Sequence, residues 1–139
     1  MTCIRLKFTK GYIYYTAMKV LVADDSKLMR ERIRESISVF ESIEILDESE
    51  NGLKTLEQLC MYNPDLAIID IRMPDMNGLE VIKEFRKTNK LAKIIILTNY
   101  AYDQYRDKAM ENGADYFLSK SEDFDKIALI VASIIRGEH

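Results

Sequence analysis

The sequence predicts an α/β fold in which a doubly wound parallel sheet of five strands is flanked by five helices. Two observations support this prediction. From residue 19 onward, short apolar runs alternate with segments whose apolar residues recur every three or four positions. The apolar runs are also continuous, which is typical of parallel strands covered by helices on both faces. At 139 residues the chain is expected to form one domain.

The five predicted strands are short runs rich in Val, Ile and Leu. They cover residues 19–24, 43–48, 66–70, 93–97 and 114–119. Because crossovers between parallel strands are right-handed, few topologies remain, and we expect the flavodoxin-like order 2-1-3-4-5. In that order the first and third strands are neighbours at the point where strand order reverses. Residues that follow the first, third, fourth and fifth strands then meet at one edge of the sheet.

The predicted helices carry apolar stripes at helical spacing, which we interpret as core and not as cofactor sites. They cover about residues 27–39, 52–61, 102–112 and 123–136, and the third follows the turn-forming loop 72–78. Asn63-Pro64 is expected to end the second helix, and Gly113 to cap the fourth in a left-handed conformation. The stripes are Met29, Ile33, Ile37 and Phe40; Leu53, Leu56 and Cys60; Leu79, Ile82 and Phe85; and Phe124, Ile127, Ile130, Val131 and Ile134.

Residues 1–17 differ in composition from the rest of the chain. They contain three basic residues and no acid, so the remainder has 17 basic and 23 acidic residues. The segment lacks the long apolar stretch of a secretory signal. We therefore predict an N-terminal extension, either non-native or disordered, and a folded domain over residues 18–139. An aromatic edge strand or partner-binding arm is the alternative interpretation of the extension, which holds Tyr12, Tyr14 and Tyr15.

Composition excludes several classes of protein. The apolar and charged fractions, 47% and 31%, are those of a soluble globular protein. No apolar run approaches the roughly 18 residues that span a bilayer, so no membrane insertion is expected. The net charge of −3 argues against direct nucleic-acid binding. Cys3 and Cys60 have no metal or redox spacing, and their scarcity fits a cytoplasmic protein.

Five polar residues follow the predicted strands in a pattern that suits phosphate chemistry. Asp24 and Asp25 follow the first strand, Asp70 the third, Thr98 the fourth and Lys120 the fifth. Three adjacent carboxylates repel each other and are stable together if a divalent cation lies among them; an all-oxygen site suits Mg²⁺. The ammonium and hydroxyl would neutralise a phosphoryl group while Asp70 attacks phosphorus in line. Any one of these residues alone is explained by capping, turns or solvation, but their joint occurrence is not.

Other phosphate-binding classes fit less well. A haloacid dehalogenase-like phosphatase needs Asp-x-Asp after its first strand, whereas this chain has Asp24-Asp25. A flavodoxin would place hydroxyl and glycine residues there, because two acids repel phosphate. No Gly-rich loop with Lys-Ser/Thr is present for a nucleoside triphosphate. A histidine relay protein is excluded, since the only histidine in the sequence is His139.

At these motifs the chain resembles the receiver domain of two-component response regulators, in particular the single-domain, chemotaxis-regulator-like members. The resemblance covers residues 19–136. Residues 20–26 resemble the first strand and acidic pair, and residues 66–78 contain the complete Asp-x-x-Met-Pro-x-Met-x-Gly pattern. Leu97-Thr98 and Ser119-Lys120 match the later signatures.

The resemblance implies a phosphoacceptor signalling protein that is no enzyme beyond its own phosphorylation and dephosphorylation. Asp70 would take a phosphoryl group from the phosphohistidine of a histidine kinase or phosphotransfer protein. Asp25, Asp70 and the backbone carbonyl of Arg72 would bind Mg²⁺, with Asp24 acting through water. Thr98 and Lys120 would contact the phosphoryl group.

Three residues depart from the family pattern. Ser121 follows the lysine where proline is common, so we expect a trans bond, because a non-proline cis bond costs about 3 kcal/mol. Phe117 occupies the position of the switch aromatic that works with Thr98, and it has no hydroxyl, so any switch would rest on packing. Arg72 places a long cation beside the site, and we hypothesise that it alters the lifetime of the phosphate.

The resemblance also directs attention to an output surface. The sequence beyond Lys120 has room for one helix, so we expect no attached output domain and a downstream protein target instead. The expected surface comprises the fourth helix, fifth strand and fifth helix, and a homodimer through it is one candidate role. Exposed tyrosines favour interfaces; those in this region are Tyr100, Tyr102, Tyr105 and Tyr116. The alternative function is a phosphorylation-independent, receiver-like binding module.

Overall fold

The computed structural model describes residues 5–137, without the side chains of residues 5–9 and 12–16. Cys3 and His139, considered above, lie outside these residues. A two-stranded sheet comes first, and a parallel sheet of five strands follows. In chain order the strands are β1 (Arg5–Thr9), β2 (Tyr12–Thr16), β3 (Met18–Ala23), β4 (Ile43–Ile45), β5 (Leu66–Ile69), β6 (Lys93–Thr98) and β7 (Tyr116–Ser119).

The parallel sheet has the order β4-β3-β5-β6-β7, which confirms the predicted order 2-1-3-4-5. Within residues 5–137, five helices connect and cover its strands. They are α1 (Lys27–Ile37), α2 (Gly52–Tyr62), α3 (Gly78–Phe85), α4 (Asp103–Glu111) and α5 (Lys126–Ile135). The predicted α/β fold class is therefore confirmed.

Successive strand residues face opposite layers of the core, as the pleat of a strand requires. Leu21 and Ala23 pack in the layer that includes α2, α3 and α4, whereas Val20 and Val22 pack in the layer that includes α1 and α5. Both layers are built from buried apolar side chains, so the central strands of the sheet are buried on both faces. This burial explains the continuous apolar runs of the sequence.

The N-terminal strands form a hairpin. β1 and β2 pair antiparallel through a two-residue turn at Lys10 and Gly11, both with positive φ (51° and 79°). In the described part of the chain, these two strands pair with each other and not with the parallel sheet. The division into an extension over residues 1–17 and a domain over residues 18–139 stays a prediction.

Two details of the helices and strands differ from the predictions. The second predicted strand is shorter, since β4 ends at Ile45, although the Ser49 amide still donates to the Val22 carbonyl at 3.0 Å. The predicted apolar stripe of α2 is wrong in two of its three residues: Leu53 and Cys60 are exposed, whereas Leu56 packs against the core. The buried face of α2 is Gly52, Thr55, Gln58 and Leu59.

Close backbone contact sets the orientation of α2. A Cβ atom on Gly52 would lie 1.8 Å from the Met76 carbonyl oxygen. Only a glycine can present this face to the loop before α3, so the start of the helix is fixed by a contact distant in sequence. Gly113 was predicted to cap the fourth helix. It lies just after α4 and has φ +110°, as expected of a C-terminal cap.

Candidate functional site

The residues predicted to form a site lie at the carboxyl ends of neighbouring strands. Asp24 follows β3, Asp70 follows β5, Thr98 ends β6 and Lys120 follows β7. Ladder hydrogen bonds continue into these positions: the Asp70 amide donates to the Ala23 carbonyl at 3.0 Å, and the Lys120 amide to the Thr98 carbonyl at 2.9 Å. Parallel pairing therefore brings four distant segments to one edge of the sheet.

Three carboxylates cluster at this edge. Asp24, Asp25 and Asp70 each offer an oxygen, and these oxygens all lie within 4.8 Å of one another. Asp24 and Asp70 are 1% and 5% exposed, whereas Asp25 is open to solvent. The cluster thus has a buried base and an accessible side.

Lys120 reaches into the base of this cluster. Its ammonium nitrogen lies 2.6 Å from Asp24 Oδ2 and 2.9 Å from Asp70 Oδ2, and the residue is only 8% exposed. Burial lowers the pKa of Lys120, but the two carboxylates outweigh burial and raise it above its ordinary value. The lysine is therefore charged and neutralises part of the acidic cluster.

Backbone amides hold the two buried carboxylates in place. The Ser26 amide donates to Asp24 Oδ1 at 2.8 Å, and the Ile71 amide donates to Asp70 Oδ1 at 2.7 Å. Burial raises the pKa of Asp24, and the charge of Asp70 raises it further. Lys120 and the Ser26 amide lower this pKa, but the net shift is upward. Burial therefore opposes the charged form of Asp24 most, and the like charge of Asp70 acts in the same direction.

The loop after Asp70 is packed tightly against the site. The Gly78 amide donates to the Ile71 carbonyl at 2.8 Å, and a Cβ on Gly78 would lie 2.1 Å from the Asp70 carbonyl oxygen. Asp75 adopts a positive φ of 73° within this turn. The glycine of the Asp-x-x-Met-Pro-x-Met-x-Gly pattern therefore permits α3 to begin directly against the backbone of Asp70.

Thr98 and Phe117 occupy buried positions on β6 and β7. Thr98 is fully buried, and its hydroxyl oxygen accepts a hydrogen bond from the Tyr100 amide at 3.0 Å. Phe117 packs in the core layer that includes α3 and α4, and the Arg106 guanidinium lies 5.2 Å from its ring centroid. The ring is therefore held inward by packing and by a cation–π contact.

Arg72 lies over the ring of Tyr100. Its guanidinium carbon is 4.3 Å from the ring centroid, which joins the loop after β5 to the loop after β6. A hydrogen-bonding interaction with Tyr105 raises the pKa of Arg72. The side chain is exposed to solvent. The peptide bond between Lys120 and Ser121 is trans, as expected.

The residues present fit a hard divalent cation. The cluster offers oxygen ligands from three side chains, one of them exposed. Asp24 Oδ2 is fully buried, and it contacts the Lys120 ammonium without the alignment of a hydrogen bond. Three carboxylates, one of them open to solvent, form an all-oxygen donor set that is compatible with Mg²⁺ and its bound water.

Sequence reasoning missed one group of residues close to this site. Arg30 of α1 donates to the backbone carbonyl of Asp24 at 2.7 Å and to the carboxylate of Glu48 at 2.9 Å. Arg30 lies one turn beyond Ser26, the N-cap of α1, whereas Glu48 comes from the loop after β4. No periodicity or motif links a helix residue to a loop residue 18 positions away, so the pair had no sequence signal.

No helix among the described residues is long and apolar enough to span a membrane.

The comparisons with known proteins agree with this arrangement. Over 104 residues the chain is 38% identical to chemotaxis protein CheY of Halobacterium salinarum, covering 75% of this chain and 85% of that protein. It is 31% identical to response regulator protein VraR of Staphylococcus epidermidis, covering 88% of this chain but only 58% of the relative.

A solved structure gives the same result. The signal receiver domain of the response regulator NarL from Mycobacterium tuberculosis is 27% identical, with a TM-score of 0.79 and coverage of 88% of this chain and 99% of that one. The family model described as the response regulator receiver domain matches residues 20–132. Because that match takes in both the acidic pair and the lysine strand, the chain belongs to the response regulator receiver domain family.

Proposed function

We propose that this protein accepts a phosphoryl group on Asp70 and signals through contacts with other proteins. The donor is the phosphohistidine of a histidine kinase or phosphotransfer protein, and the reaction depends on Mg²⁺. The observation that carries the proposal is the position of Lys120, whose ammonium lies 2.9 Å from the Asp70 carboxylate inside an acidic cluster. A phosphoryl acceptor needs both a free carboxylate and a cation for the incoming oxygens, and this pair supplies them.

In the proposed transfer, a carboxylate oxygen of Asp70 forms a bond to phosphorus as the phosphorus–nitrogen bond of the donor breaks. The electron pair of that bond stays on the imidazole nitrogen, which then takes up a proton. Lys120 neutralises charge on the transferred group. Since a hydroxyl that accepts one hydrogen bond can still donate its own proton, Thr98 can donate to a phosphoryl oxygen.

The cation site is proposed from the same residues. Asp25, Asp70 and the backbone carbonyl of Arg72 would hold Mg²⁺, with Asp24 acting through a water molecule. Bound Mg²⁺ would neutralise oxygens of the phosphoryl group during transfer. The exposure of Asp25 supports this assignment, because a metal shared with a donor protein has to be reached from solvent.

The output is proposed to leave through the face formed by α4, β7 and α5, in the cytoplasm. Tyr102 is exposed on this side, and its ring lies 6.0 Å from that of Tyr105. Phe117, which is buried on β7, would respond to the phosphoryl group together with Thr98 by a change in packing. A downstream protein or a second copy of the chain is the expected partner. A pull-down with beryllofluoride-activated protein, compared with untreated protein, tests this.

Labelling with acetyl phosphate tests the proposed function directly. We expect wild-type protein to be labelled in the presence of Mg²⁺ and not in EDTA, and Asp70→Asn to remain unlabelled in both. Lys126→Met, which changes an exposed lysine of α5, should be labelled like wild type. Absence of label in wild-type protein would favour the alternative, a phosphorylation-independent binding module. Label that persists in Asp70→Asn would place the acceptor elsewhere.

A further inference from the structure

The backbone between the two acids of the predicted metal site is held by a side chain from α1. Arg30 Nη1 donates to the carbonyl oxygen of Asp24 at 2.7 Å, and Arg30 Nε donates to Glu48 Oε1 at 2.9 Å. We propose that Arg30 is a positioning residue for the divalent cation: by fixing the Asp24 carbonyl it orients the carboxylate of Asp25. This inference rests on the proposed function, because it concerns the same cation site.

The planarity of the peptide bond carries the effect from one acid to the next. The carbonyl of Asp24 and the amide of Asp25 belong to one rigid plane. A hydrogen bond to that carbonyl therefore fixes the direction in which the chain enters Asp25. Asp25 is exposed, so its side chain has no core packing to orient it. Its position relative to the buried carboxylates of Asp24 and Asp70 depends on this backbone.

Arg30 is itself anchored. It is 13% exposed and Glu48 is 18% exposed, so the pair is largely shielded from solvent. Glu48 precedes Ser49, whose amide donates to the Val22 carbonyl at 3.0 Å and whose carbonyl accepts from the Asp24 amide at 2.9 Å. The loop that carries Glu48 is thus tied to β3. Two donors of one planar guanidinium join this fixed loop to the Asp24 carbonyl, a geometry that lysine lacks.

Arg34 provides a matched control. It lies one turn further along α1 and forms an ion pair with the other oxygen of Glu48. Both arginines therefore have the same charge, the same helix and the same carboxylate partner, but Arg30 alone of the two donates to Asp24. Replacing either arginine by methionine changes charge and helix propensity equally, so a difference in Mg²⁺ affinity between the two variants has another cause.

The sign of the effect separates positioning from electrostatics. An arginine near a cation site repels the cation, so its removal by itself should strengthen Mg²⁺ binding. If Arg30 acts by positioning, its removal should weaken binding instead. Loss of residues that orient metal ligands weakens metal affinity by about 10- to 100-fold. We expect a loss of roughly tenfold for Arg30→Met, because it acts on the backbone of one ligand.

The experiment measures Mg²⁺ affinity by calorimetry for wild type, Arg30→Met and Arg34→Met, with amide hydrogen exchange of the metal-free proteins in EDTA. We expect Arg30→Met to bind Mg²⁺ more weakly and its Ser26 amide to exchange faster, because that amide bonds Asp24 Oδ1. Arg34→Met should match wild type in both. Arg30→Gln, too short to make both bonds, replaces Arg30→Met if the latter does not fold.

Binding by Arg30→Met that equals or exceeds that of wild type would overturn the inference, as would an equal loss in Arg34→Met. These outcomes leave the proposed function intact, because wild type would still bind Mg²⁺ and take label from acetyl phosphate. Wild-type protein that neither binds Mg²⁺ nor takes label would overturn the proposed function and this inference together.

Discussion

Lys120 and Asp70 lie 50 positions apart in the sequence, yet the Lys120 ammonium is 2.9 Å from the Asp70 carboxylate. The same nitrogen lies 2.6 Å from Asp24. One buried lysine therefore pairs with the two buried acids that follow β3 and β5. It supplies part of the neutralisation that the sequence analysis assigned to a divalent cation, and it does so before any cation binds.

Removal of this lysine is expected to destabilise the metal-free protein. Lys120→Met would leave two buried carboxylates without their cation, and such a loss costs about 3 kcal/mol of unfolding free energy. Urea unfolding in EDTA measures it, and added Mg²⁺ should restore part of the loss. Lys126→Met breaks an exposed ion pair with Asp123 and should cost less than about 0.5 kcal/mol. Equal losses in the two variants would contradict a special role for Lys120.

We predict that Arg72, held over the ring of Tyr100, prolongs the lifetime of the aspartyl phosphate. The guanidinium lies over this ring, two residues beyond Asp70 in the loop after β5. We expect Arg72→Ala to admit water and speed dephosphorylation about two- to tenfold, equivalent to roughly 0.4–1.4 kcal/mol on the barrier. Tyr100→Leu should act in the same direction, since it removes the surface on which Arg72 lies. Loss of label after removal of acetyl phosphate measures the rate, and an unchanged rate in Arg72→Ala would refute the hypothesis.

Gly78 is predicted to be essential to the shape of the acceptor loop. Its added Cβ would lie 2.1 Å from the Asp70 carbonyl oxygen, so Gly78→Ala must move the backbone of Asp70 or the start of α3. We expect a loss of about 2 kcal/mol or more in unfolding free energy, together with weaker labelling. Asn77→Ala, which removes the cap of the same helix, should cost about 1 kcal/mol. A smaller loss for Gly78→Ala than for Asn77→Ala would contradict the predicted clash.

The position of the site could be predicted from the sequence because parallel topology leaves little freedom. Once the strands were placed, Asp24, Asp70, Thr98 and Lys120 had to follow their carboxyl ends. The contacts between loops could not be predicted. Arg72 meets Tyr100 through the paths of two loops, which no periodic pattern encodes.

The orientation of α2 and the N-terminal hairpin show two further limits. Leu53 and Cys60 were predicted to face the core and are exposed, because the approach of Gly52 to the Met76 carbonyl sets which face of α2 is buried. The hairpin had a local signal, a glycine between two runs rich in aromatic and β-branched residues. The basic composition of the segment favoured an extension outside the fold, whereas Lys10 and Gly11 form a two-residue turn with both φ values positive.

Asp123 supports the turn that follows Lys120. Its carboxylate accepts a hydrogen bond from the Ser119 amide at 2.9 Å and pairs with the Lys126 ammonium at 2.9 Å. The bond from the Ser119 amide, and then Lys126, lower the pKa of Asp123 from its ordinary value of 3.8. The folded protein therefore binds this proton less readily than the unfolded chain does. The stabilisation is present above pH 3.8 and is lost as the pH falls through the lower pKa of the folded state.

Asp123→Asn should accordingly unfold at lower urea concentration than wild type at neutral pH. The difference between the two midpoints should stay constant down to about pH 5 and narrow below about pH 4, because wild type then loses the charge that the variant already lacks. Asp125→Asn is the matched control, since Asp125 makes no capping hydrogen bond at the start of α5. Urea titrations across this pH range measure both. A difference that widens toward low pH would show that the carboxylate of Asp123 does not stabilise the turn in its charged form.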